Sequence, residues 1–152
     1  MSLPEHVCAL LSDHRGQLLF QLRPPWIRHA ANQLTCFGGK REPGENIVDC
    51  LRRELREETG WCPVQVPLGG VDVIGGGRFI ARFIPLHLPS SIALHAEPGF
   101  IVLTAARQTL PALPLSPWHR AAIQAWDAGK TTVKVEVGQE AGPGNVAFNR
   151  TS

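Results

Sequence analysis

The chain has 152 residues, a length that suits one domain with a core of its own. A hydrophobic share of 43% and a charged share of 18% place it among globular proteins. A formal net charge of +2 is too small to argue for nucleic acid or an anionic membrane surface. No 18-residue apolar run offers a membrane span, and no N-terminal stretch has the make-up of a cleaved leader, so the expected setting is cytoplasmic. The four cysteines (Cys8, Cys36, Cys50 and Cys62) stand singly among apolar neighbours without zinc spacing, and are expected as buried free thiols.

Two apolar runs, His6 to Leu11 and Gln17 to Leu22, flank Ser12-Asp13-His14-Arg15-Gly16 and read as a β-hairpin. Arg23 follows the second run, and Leu34 to Phe37 is expected as a short strand leading into Gly38-Gly39. The next segment is a helix. Asn46 can cap its start behind Pro43-Gly44, and Gly60 stands where a left-handed C-terminal cap is wanted. Ile47, Val48, Leu51 and Leu55 fall on an arc of about 100° that should face the core. Glu58 projects within that arc and Glu54 at its edge, whereas Asp49, Arg52 and Arg56 point away.

Downstream, Val64 to Val66, Val71 to Ile74, Arg78 to Leu88 and Phe100 to Thr104 read as strands separated by Gly- and Pro-containing turns. Ser116-Pro117 opens a second helix running to about Ala128, and Thr131 to Val137 is a candidate final strand. The expected organisation is one domain over residues 1–138 and a polar, Gly-rich tail over 139–152.

Six of the thirteen acids fall between Glu42 and Glu58. Glu57 and Glu58 lie within about 60° of Glu54, so all three carboxylates project from one side of the helix. Like charges so close repel unless a cation sits among them, and a divalent metal is the usual answer. Ordinary Glu–Arg pairing on a solvated helix accounts for Arg52 and Arg56, but not for an acid inside the apolar arc.

The stretch Gly39 to Trp61 resembles the signature of the Nudix hydrolases. The matching positions are Gly39, Glu45, Arg53, Glu54, Leu55, Glu57, Glu58 and Gly60. Two positions depart from the usual pattern: Trp61 replaces a smaller aliphatic, and Phe37 stands where many members have Pro. The resemblance implies an α/β protein, a Nudix-type α/β/α sandwich around a mixed β-sheet. It also implies metal-dependent cleavage of the diphosphate bond in a nucleoside diphosphate linked to another moiety. Under it, Glu54, Glu57, Glu58 and the Gly39 carbonyl are ligands for Mg²⁺ or Mn²⁺, Arg53 holds a carboxylate in place, and Glu45 braces the loop–helix junction.

The general base is either a helix glutamate or Glu97, in the loop-like LHAEPGF; a plain turn acid is the other reading of Glu97. Arg23 and Arg78 are candidate substrate-binding residues, with Arg28 and Arg82 further cations for a second moiety. Trp26, Phe83 and Trp118 are candidates for stacking on a base or for core packing. His29 raises a coenzyme A diphosphatase alternative, although its spacing to the double Gly does not match that subgroup. A non-catalytic nucleotide- or metabolite-sensing module is the other alternative. The expected partner is a small-molecule nucleotide diphosphate, with no nucleic acid and no membrane; the resemblance leaves a homodimer open.

Overall fold

The computed structural model describes residues 2–137. The expected tail, 139–152, lies outside the described residues. The elements in chain order are β1 (His6–Ser12), β2 (Leu18–Leu22), β3 (Leu34–Thr35), β4 (Phe37–Lys40), α1 (Ile47–Thr59), β5 (Val71–Gly75), β6 (Arg78–His87), β7 (Ile101–Ala105), a 3₁₀ helix (Arg107–Ala112), α2 (Pro117–Asp127) and β8 (Thr132–Lys134). Among the described residues no helix is long and apolar enough to cross a membrane.

The strands form one mixed sheet in the order β3-β2-β1-β6-β5-β8, with β4 paired to β1 and β7 paired to β2. β1 lies parallel to β6 and β5 parallel to β8, while the remaining pairs are antiparallel. β1 is central and buried on both faces, as its continuous apolar run requires. Val7, Ala9 and Leu11 meet Cys50, Leu51 and Leu55 of α1 on one face. Cys8 and Leu10 meet Trp118, Ala122 and Ile123 of α2 on the other. Two helices on opposite faces of a mixed sheet are the sandwich expected from the sequence. Leu51 and Leu55 are fully buried, each contributing about 1.5–3 kcal/mol.

The sheet forks where it matters for the site. β2 pairs with β1 only at Ser12↔Leu18, beside the hairpin turn; beyond that, β2 takes β3 and β7 as partners while β1 takes β4. The fork separates Gln21 and Arg23 from Gly38 and Gly39 and leaves room between them.

Four elements differ from the sequence reading. Val64 to Val66 is not a strand: it lies between Pro63 and Pro67, pairs with no strand among the described residues, and leaves Val64 89% exposed. Leu34 to Phe37 divides at Cys36, whose N–H donates to His119 Nδ1 of α2 at 3.0 Å instead of joining a ladder. The expected last strand contracts to Thr132–Lys134, and the 3₁₀ helix was not anticipated. In α2, Ser116 occupies the N-cap position but its side chain makes no capping bond; Pro117 starts the helix.

Candidate active site

The glycine loop, running from Gly38 and Gly39 of β4 to the start of α1, can take its path only because those two residues lack Cβ atoms. At Gly38, φ is +142° and a Cβ would lie 2.2 Å from the Val7 carbonyl oxygen of β1. At Gly39, a Cβ would lie 2.5 Å from Glu54 Oε1, so the carboxylate rests directly against the glycine backbone. α1 starts with Asp49 N–H donating to Asn46 Oδ1 at 2.8 Å, a cap worth about 1 kcal/mol. It ends at Gly60, which is left-handed at φ 78° and donates its N–H to the Arg56 carbonyl.

Arg53 is the hub of the acidic cluster. Its Nε and Nη2 donate to the two oxygens of Glu45 at 2.7 and 3.0 Å, a bidentate fork. Nη1 reaches Glu54 Oε1 at 2.9 Å and Glu57 Oε1 at 3.0 Å, and Nη2 also donates to the Lys40 carbonyl at 3.1 Å. One guanidinium therefore ties the glycine loop, Glu45 and two helix acids together. Glu45 is correspondingly acidic: its hydrogen bonds from Arg53 outweigh desolvation and bring its pKa down to about 2.

Glu54 and Glu58 behave in the opposite way. They are 5% and 8% exposed, and burial, chiefly, pushes both carboxyls above the ordinary range; mutual repulsion adds to the shift of Glu58. Glu58 accepts from Gly38 N–H at 2.8 Å and from Gln21 Nε2 at 3.3 Å, partners that hold it in place without neutralising it. Glu57 is exposed on the outer side. The thiol of Cys50 lies 3.8 Å from the Gly39 carbonyl oxygen, and burial raises its pKa to about 12, so it remains protonated.

Two further segments reach this cluster. His95 N–H donates to the Thr59 carbonyl at 2.8 Å, which fastens the Ser90–Gly99 segment to the C-terminal end of α1. Glu97 follows, with its carboxyl raised by burial first and then by the negative charge of Glu57, and lowered by Arg23. Arg23 is buried, donates from Nε to the His29 carbonyl at 2.8 Å, and holds its guanidinium 5.5 Å from the centre of the Phe100 ring. Burial lowers its pKa, and the charges of Glu58 and Glu97 act against that. Arg23 and Glu97 are thus electrostatic neighbours of the helix acids from the far side of the cleft.

The remaining candidates are placed elsewhere. Arg78 forms a bidentate pair with Glu5 at 2.8 and 2.5 Å at the start of β6, and Arg82 pairs with Asp72 at 2.7 and 3.1 Å. Phe83 and Trp118 are 1% exposed and belong to the core, which removes them as stacking surfaces; Trp26 stands out at the surface. His29 lines a narrow cavity of about 30 Å³ with His6, Cys8 and His119. Beside the glycine loop, an open trough of about 530 Å³ is lined by Lys40, Arg41, Pro43, Arg53 and Glu54. A wider depression, about 900 Å³ between Trp61–Pro67 and Pro85–Ile92, contains none of these acids.

Sequence reasoning passed over Gln21 and His119. Gln21 did carry a signal, as the one amide in the otherwise apolar strand Leu18–Leu22. His119 carried none: burial lowers its pKa to about 3 and keeps the ring neutral, so that Nδ1 can accept from Cys36 N–H.

A family model for the NUDIX domain matches residues 2–106. The chain belongs to the Nudix family. It is a Nudix-type pyrophosphohydrolase, an enzyme of phosphoanhydride bonds. Solved structures with the same fold include the MutT protein from Methanosarcina mazei Go1, at 21% identity and TM-score 0.66, covering 85% of this chain and 97% of that one. The E. coli ORF135 protein has 28% identity and TM-score 0.59, covering 85% and 94%. A C. elegans Ap4A hydrolase in a binary complex has 11% identity and TM-score 0.64, covering 82% and 96%. No curated protein matches by sequence.

Proposed function

We propose that this enzyme hydrolyses the diphosphate bond of a nucleoside diphosphate linked to another moiety, using Mg²⁺ or Mn²⁺ held by Glu54, Glu57, Glu58 and the Gly39 carbonyl. The observation that carries the reading is the Arg53-centred cluster, which fixes Glu45, Glu54 and Glu57 around the glycine loop with Glu58 packed beneath.

The donor set fits a hard divalent cation: every donor is a carboxylate or carbonyl oxygen. Two of the carboxylates are buried with raised pKa values, the condition that a bound cation relieves. Among the described residues no three His, Cys, Asp or Glu side chains form a ready-made cage. Glu54 and Glu57 are turned toward Arg53, so metal binding involves a change of partner for those two side chains. When bound, such a metal neutralises phosphate oxygens and makes water a stronger nucleophile at neutral pH.

The chain's own residues supply the rest. Arg53 keeps the helix acids aligned with the loop. Arg23, buried and facing the acids, offers positive charge to the substrate. Glu97 accepts the proton of the attacking water, a task suited to a carboxylate whose pKa is raised toward the working range. Water adds to one phosphorus as the bridging P–O bond breaks, and the leaving phosphate departs with the bridging oxygen. A helix glutamate is the competing choice of base, and Glu97→Gln separates the two.

The test is phosphate release from a panel of nucleoside triphosphates, sugar nucleotides, ADP-ribose, NADH, dinucleoside polyphosphates and coenzyme A. A phosphatase would free monophosphate products for detection. Turnover of one class that EDTA abolishes supports the reading; silence across the panel with metal binding intact would favour a sensing module instead. Turnover confined to coenzyme A would establish the coenzyme A alternative.

A further inference from the structure

Trp26 is 75% exposed, an unusual position for the largest apolar side chain in the chain's vocabulary. Its placement is built rather than incidental. Pro24 and Pro25 fix two successive φ angles, and Ile27 N–H bonds the Pro24 carbonyl at 3.3 Å, which closes a turn with Trp26 near its tip. One edge of the indole rests on Gly99, where φ is +86° and a Cβ would lie 2.7 Å from Trp26 Cζ2 and 3.3 Å from Cη2. Only a glycine lets the ring settle there. Gly99 is flanked by Phe100, which carries the Arg23 guanidinium, and lies two residues beyond Glu97.

The buried cavity that the fork opens beside Arg23 is too small for a ring. The cavity between the forked sheet and α2 measures about 30 Å³ and holds roughly one water. An aromatic surface anchored along one edge loses little conformational freedom when a second ring stacks on it.

We propose that Trp26 determines specificity, stacking on the flat ring of a nucleoside whose phosphates run past Arg23 to the α1 carboxylates. This rests on the hydrolytic reading of the site, and its test is independent of turnover. Binding of AMP and GMP would be measured calorimetrically in EDTA, with ribose 5-phosphate as the ring-free control, for the wild type, Trp26→Phe and Trp26→Ala. The expected result is a preference for the nucleotides of about tenfold or more in the wild type, lost in Trp26→Ala and kept within about threefold in Trp26→Phe. Unchanged thermal unfolding of Trp26→Ala would show that the loss is local. Equal binding of AMP and ribose 5-phosphate by the wild type, or an unaltered preference in Trp26→Ala, would overturn the proposal. So would a Trp26→Ala protein whose only change is its oligomeric state. A silent substrate panel alongside an intact ring preference would count against the hydrolytic reading alone.

Discussion

The glycine loop with α1 and the two segments that face it are built on different principles. Between Gly38 and Gly60, Glu45, Glu54, Glu57 and Glu58 all accept from named donors, and Arg53 alone makes five hydrogen bonds to oxygens of Lys40, Glu45, Glu54 and Glu57. The facing segments, Arg23 to Gln33 and Ser90 to Phe100, lack regular secondary structure and carry an exposed Trp26. The first region concentrates paired charge, whereas the second presents irregular backbone and an exposed aromatic ring. Under the two proposals above, chemistry and substrate choice are divided between a helix and loops, an arrangement that lets one change without the other.

Substitutions in the rigid region should therefore change turnover most. Glu57→Gln, at an exposed position that the fold does not need, is expected to lower kcat by about 10³-fold, or about 4 kcal/mol of barrier. Steady-state assays on the substrate found in the panel would show it, and a KM effect without a kcat effect would place Glu57 in binding instead. Arg53→Lys keeps the charge but loses the fork to Glu45, and should cost about 10–100-fold in activity, read from the same assays.

Glu58 distinguishes function from stability. Its folded pKa is raised, so stability is fully present below the unfolded value near pH 4.5 and is lost as pH rises through the folded value. Glu58→Gln should raise the metal-free melting temperature at pH 7 by about 3 °C, the effect of about 1 kcal/mol in a chain of this size, while turnover falls. The gain should shrink below pH 4.5, where the wild-type carboxyl is protonated. Calorimetry in EDTA at both pH values would measure it; a destabilised Glu58→Gln at pH 7 would mean that its two hydrogen bonds outweigh desolvation.

The smallest effect is expected outside both regions. Arg78→Ala breaks a half-exposed pair with Glu5, worth about 0.5 kcal/mol, and should leave KM within about twofold. A large rise in KM would restore Arg78 as a substrate contact.

The rigid region was legible in sequence because its interactions are local. Glu45 and Arg53 are eight residues apart, and helical periodicity alone places Glu58 in the apolar arc. What could not be read depends on distant partners. Gln21 reaches Glu58 across 37 residues, and the break between β3 and β4 follows from a histidine 83 residues away taking the Cys36 N–H. Val64 to Val66 has the alternation of a strand, but the flanking prolines deny it ladder donors and no neighbouring strand receives it. Arg23 was legible as a cation after a strand, whereas its neighbourhood with Glu97 is created by the fork and by β7 lying against β2.

The most direct measurement is turnover of the nucleotide substrate against rising Mg²⁺ or Mn²⁺, with wild type and Glu57→Gln side by side. The account expects a saturable rise from zero in the wild type and a nearly flat response in the variant. Turnover that persists in EDTA, or a variant that follows the wild-type curve, would contradict it.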